Sequence, residues 1–147
     1  MRSAARRSRS VGRAPDWVDE AAWRLTAEDS TLDDVAGWLG GVTRPEGPGR
    51  LLVERPERTG AVNVVLAEEE GRPASLSAWY ARGEGPTVDE AARVLGAWRE
   101  YPRPGPPYQG GFPRAQGCEV SGTTYDPPGD GSGRRLVEVA VLRSPFA

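Results

Sequence analysis

Residues Leu51 to Arg82 read LLVERPERTGAVNVVLAEEEGRPASLSAWYAR, and the punctuation of this stretch decides the fold class. It holds three extended segments, expected at 51–54, 61–67 and 74–82. Pro56–Gly60 suits a hairpin loop between the first two, and Glu68–Pro73 turns around Gly71 between the second and third. In the third segment Leu76, Ala78 and Tyr80 alternate with Ser75, Ser77 and Trp79, so one face carries Leu76 and Tyr80 while Trp79 points the other way. Connections this short join antiparallel neighbours, because a parallel pair needs a crossover of about a dozen residues or more.

Helical periodicity flanks this meander on both sides. Leu32, Val35, Ala36 and Leu39 recur at i, i+3, i+4 and i+7 behind Ser30 and Thr31. Asp33 and Asp34 sit in the first turn, where carboxylates favour the exposed amides, and Gly40–Gly41 supplies a left-handed stop. This predicts a helix over 31–40 with Trp38 at its flank. Downstream, Thr87-Val88-Asp89-Glu90 matches a capping box, followed by a stripe of Val88, Ala91, Ala92, Leu95, Trp98 and Tyr101 that Pro102 closes. The second helix is therefore expected over 87–100. Near the amino terminus, 16–24 reads as a short helix capped by Asp16 and followed by an extended stretch, with a strand over 23–26 as the alternative.

Two more strands, over 118–125 and 134–142, are expected around the turn at 127–133 (PPGDGSG). Val137, Val139 and Val141 alternate there with Glu138, Ala140 and Leu142. Residues 44–49 (RPEGPG) and 102–117 (PRPGPPYQGGFPRAQG) read as loops. There are no internal repeats. The expectation is a single α+β domain over 15–147: a roughly five-stranded antiparallel sheet with two amphipathic helices packed on one face. That element order resembles several small interaction folds, the secretion-chaperone type among them, with no motif behind the likeness.

Composition bounds the chemistry. The 147 residues carry 19 basic and 21 acidic side chains, and every base is arginine; there is no Lys, His or Ile, and Asn63 is the sole asparagine. The absent residues are largely those with A/T-rich codons, so the arginine content records a GC-rich genome. Without histidine there is no Ser-His-Asp or Cys-His pair. Without lysine there is no Schiff-base nucleophile and no P-loop or kinase lysine. The single cysteine, Cys118, cannot form an internal disulfide or a multi-cysteine zinc site. No GxGxxG, GxSxG or HExxH motif occurs, no cofactor is implied, and the inventory disfavours an enzyme. No apolar run approaches the ~20 residues that span a bilayer, and 1–13 has no apolar signal core, so a soluble cytoplasmic protein is expected.

Charge is uneven. Residues 1–14 hold five arginines and no acid, leaving 14 bases against 21 acids over 15–147. The first segment lacks periodicity and reads as a disordered basic tail. It could serve as an arm for nucleic acid or acidic lipid, as a transit segment, or as an inert solvated tail. The acidic body disfavours nucleic acid.

Among candidate sites, Cys118 at the start of a strand reads first as a small buried side chain and only second as a nucleophile. Asp126, Asp130 and Ser132 lack the ligand spacing and terminal Glu of a calcium loop, and Glu68-Glu69-Glu70 reads as a solvated hairpin tip, so no metal site is expected. The segment 102–117 stands apart, with five prolines, four glycines, two aromatics and two arginines. Prolines limit the entropy lost on binding, aromatics supply area, and arginines recognise carboxylates or phosphates. The binding residues expected are Tyr101, Arg103, Tyr108, Phe112 and Arg114, with Trp79 and Trp98 beside them. The leading expectation is a small non-enzymatic protein-binding domain: an adaptor, a chaperone-like protein or an immunity-type inhibitor. The alternative is an enzyme or small-molecule binder with a pocket between 102–117 and the sheet, using Cys118, Glu119, Tyr125 and the arginines. Binding of nucleic acid through the tail ranks third. Oligomeric state is not legible in the sequence.

Overall fold

The computed structural model describes residues 14–129 and 133–143. The basic segment, apart from Ala14, lies outside them, as do Asp130 and Ser132. The α+β class holds: three helices lie among the described residues, the short amino-terminal one packing on the sheet with the two expected to cover it, and the antiparallel sheet has eight strands rather than five.

Helix α1 (Val18–Thr26) buries Val18, Ala21, Ala22 and Leu25, one apolar stripe at helical spacing. Its N-cap position is Trp17 rather than Asp16, and it runs on through the residues expected to be extended. The Glu20–Arg24 pair, 2.8 Å apart on the exposed side, supports that last turn. Helix α2 (Leu32–Leu39) matches its expectation. The Thr31 hydroxyl accepts from the Asp34 amide, the Asp34 carboxylate accepts from the Thr31 amide, and Gly40 ends the helix at φ 75°. Helix α3 (Val88–Leu95) begins with the expected Thr87–Glu90 capping box but is shorter than 87–100. Gly96, at φ 100°, stops it well before Pro102, and Trp98 leaves the helix stripe.

The strands are β1 (Val42–Pro45), β2 (Arg50–Glu54), β3 (Asn63–Glu69), β4 (Arg72–Trp79), β5 (Arg99–Glu100), β6 (Tyr108–Ala115), β7 (Cys118–Thr124) and β8 (Leu136–Arg143). Three were not expected. β1 occupies the start of the supposed loop 44–49; all four of its residues are exposed, so no alternation announces it. β5 holds two residues, too few for any pattern. β6 takes up half of the supposed loop 102–117, whose irregular part shrinks to 102–107, within the seven-residue β5–β6 connection, and the turn at 116–117.

The sheet order is β1-β2-β3-β4-β8-β7-β6-β5, two meanders meeting at the β4–β8 ladder. One face carries Val53, Val64, Leu66, Leu76, Ala78, Val139, Val141, Val120 and Phe112, all buried in one core with the apolar stripes of the three helices. Helix α1 packs over β4 and β8, α2 over β2 and β3, and α3 over β6.

No described helix covers the opposite face. Its register draws three rows across the strands. The central row runs Leu52, Val65, Ser77, Ala140, Ser121, Gly111, each aligned with the next. On one side lies the row Glu54, Asn63, Trp79, Glu138, Thr123; on the other lies Arg50, Ala67, Ser75, Leu142, Glu119. The central side chains are half-buried by their neighbours, while Trp79 and Leu142 stand out at 40% and 45% exposure.

Candidate functional site

Past Gly96 the chain runs Ala97-Trp98-Arg99-Glu100-Tyr101 along the edge of β6 and presents one aromatic to each face of the sheet. Trp98 lies against Gly110 on the helix-covered face. A Cβ added at Gly110 would meet the indole ring at 2.5 Å and the Arg99 carbonyl at 2.6 Å. Tyr101 lies over Gly111 on the open face, its hydroxyl 2.7 Å from where a Cβ would be. The adjacent glycines are thus seats for two rings, which explains why a strand tolerates them.

Trp98 stacks on Phe112, with centroids 5.1 Å apart and planes tilted by 57°. Its indole N–H donates to Glu100 Oε1 (3.2 Å), which also accepts from Arg134 Nη1 (2.6 Å). Arg134 donates through Nε to the Asp126 carbonyl (3.1 Å) and lies over the Tyr108 ring at 5.7 Å. The charge-assisted bond from Arg134 chiefly holds the Glu100 carboxyl below the usual glutamate range. Burial opposes it, and the Trp98 bond and the nearby positive charge add to it.

Of the five residues expected to form the binding surface, Phe112 is buried in the core and Tyr108 is half-buried under Arg134. Tyr101, Arg103 and Arg114 are exposed. Tyr101 and Arg114 meet at an open groove of about 560 Å³ on the uncovered face, with Glu119, Ser121 and Leu142 as further lining; Phe112 borders it while its side chain is buried in the core. Around the sheet edge, Tyr101 and Phe112 also border a hollow of about 510 Å³ with Trp98 and Pro113. Arg103 lines neither. Trp79 stands on the same open face; Leu142, Ser121 and Ala140 were not singled out from sequence. A glycine pair inside a segment flanked by aromatics was the available signal, since glycine in a strand marks close approach of another group.

The remaining candidates have structural places. Cys118 is buried, its thiol facing the Ala22 carbonyl at 3.8 Å. Burial pushes its pKa up, partly offset by Arg143 and Arg114. A disulfide reagent such as Ellman's should therefore leave native protein unmodified and titrate one thiol in denaturant; rapid labelling of the native chain would show Cys118 to be accessible. The Asp126 carboxylate accepts from the Arg135 amide at 2.8 Å, bracing the β7–β8 turn. Glu68, Glu69 and Glu70 are exposed at a hairpin tip. No group of three or more His, Cys, Asp or Glu capable of holding a metal occurs among the described residues, and none of the helices there is long and apolar enough to cross a membrane. Comparisons with protein-family models, curated proteins and solved structures find no match.

Proposed function

We propose that this chain is a small non-enzymatic protein-binding domain, of the adaptor, chaperone-like or immunity-inhibitor kind, which binds through its uncovered sheet face. The observation that carries this reading is that face itself: a broad sheet surface with small side chains at Ser75, Ser77, Ala140 and Ser121, from which Trp79, Leu142 and Tyr101 project at 40%, 45% and 49% exposure. Tyr101 and Leu142 line one groove and Trp79 stands across the central row from Leu142; exposed apolar side chains gathered on one face are characteristic of interaction sites. The groove is shallow, and the one thiol of the chain faces away from solvent. Half of segment 102–117 is itself a strand of the sheet, so the groove beside it is open to solvent and not enclosed by a loop. Arg114 and Glu119 supply opposite charges at the groove, suited to orienting a partner more than to reacting with one.

The test is capture by chemical cross-linking in the native host, comparing the wild type with a Tyr101→Ala/Arg114→Ala variant. Both residues are exposed, so the variant should melt like the wild type and lose at least tenfold of the captured partner. Equal capture by the two chains would remove this face from the account.

A further inference from the structure

We propose that the partner of the open face is a second copy of this chain, the two faces stacked about a two-fold axis that runs across the strands along the central row. The proposal rests on the reading of that face as a binding surface and names its occupant. It is carried by the register. Rotation about such an axis lays each strand over its own counterpart with direction reversed, so the two outer rows face one another. Trp79 then lies over Ser75, and Leu142 over Glu138, a large side chain against one that is small or has a flexible stem. Glu54 lies over Arg50, opposite in charge, each keeping its intrachain partner, Arg44 at 2.7 Å and Glu46 at 3.5 Å. Thr123 lies over Glu119, its own hydroxyl already donated to Glu138 of the same chain at 2.9 Å. The central row, with Ser77, Ala140 and Ser121, meets itself and is small enough for close approach. Isologous contacts require this self-complementarity, and two-fold dimers are the commonest assemblies.

The rows cross six strands, so five inter-strand gaps give a width of roughly 24 Å, and three rows with their side chains a depth of roughly 20 Å. The product, about 480 Å² per copy, places such a dimer at the low end of protein interfaces. The alternative route, edge-to-edge pairing, is blunted at both margins: β1 is four residues long and ends in Pro45, and β5 is two residues long.

The experiment is sedimentation equilibrium of the full chain from the low micromolar to the hundred-micromolar range, with two variants. The wild type should sediment at twice the chain mass. Ala140→Arg, at the centre of the face and away from the core, should sediment as a monomer with an unchanged circular dichroism spectrum. Ser77→Cys places a thiol opposite its own copy and should form a covalent dimer on mild oxidation, whereas Arg93→Cys, exposed on helix α3, should not. A wild type that is monomeric throughout, or a dimer that survives Ala140→Arg, overturns the proposal. A photo-cross-linker at position 140 in the native host then separates the two readings. If a monomeric chain captures a different protein there, only the second-copy assignment falls; if it captures nothing, the binding face falls with it.

Discussion

Glu100→Ala is expected to lower stability by about 3 kcal/mol, the low end of the cost of leaving a buried charge without its counterion. The charge left behind is Arg134, whose side chain is 10% exposed, while Glu100 itself is 26% exposed and keeps some hydration. In a chain of this size the loss corresponds to a melting temperature lower by roughly 10 °C. The Trp98 indole loses its acceptor in the same variant and adds to the cost. The effect is also linked to pH. The Glu100 carboxyl is held below its ordinary value of 4.5, so the folded state binds this proton less readily than the unfolded chain. Its stabilisation is therefore complete above that ordinary value and is lost as pH falls through the lower folded value. Glu100→Gln keeps the shape and a neutral acceptor, so its deficit against the wild type should be present at neutral pH and shrink under acid. Chemical denaturation across that range measures both. A melting point within two degrees of wild type for Glu100→Ala, or a pH-independent deficit for Glu100→Gln, would remove the ion pair from the stability account.

Gly110→Val is expected to cost about 3 kcal/mol, at the upper end for inserting bulk into a packed site. The obstruction at Gly110 is the ring edge of a half-buried tryptophan and a backbone carbonyl, and neither can move without lifting β5 from β6. Gly111→Ala makes the control on the same strand. There the nearest obstacle is the hydroxyl end of the exposed Tyr101 side chain, which can swing away, so the cost should stay near 1 kcal/mol or below. Urea unfolding with near-ultraviolet circular dichroism reads out both stability and the Trp98 environment. Equal costs for the two variants would show that the glycines are not seats for the two rings.

These glycines also explain what sequence reading can and cannot reach. Strands β3, β4 and β8 were legible because their alternating side chains meet a core on one side and solvent on the other. The Thr87–Glu90 capping box was legible because its hydrogen bonds are local. β6 was not: Gly110, Gly111 and Pro113 count as loop residues in any local reading, and what makes them strand residues is Trp98 and Tyr101 arriving from the neighbouring segment. Tyr101 and Arg114 could be chosen from sequence because large aromatic and guanidinium groups declare their chemistry. Ser77, Ala140 and Ser121 declare nothing alone; they form a row only once two ladders are in register.

The β4–β8 ladder has one further consequence. Every other ladder joins strands that are consecutive along the chain, so residues 42–79 and 99–143 each complete their own hydrogen-bonded meander. A single long closure, bringing residues 75–79 to 138–142, makes one sheet of the two. Helix α1, at the amino-terminal end of the described chain, is strapped across that seam. A backbone nick at 82–84 would leave all ladders but one intact within a fragment, and the two pieces would have only the seam and its strap to find. The molecule is a pair of half-sheets held by one shared hinge line, and the entropy of a long loop is charged against it once.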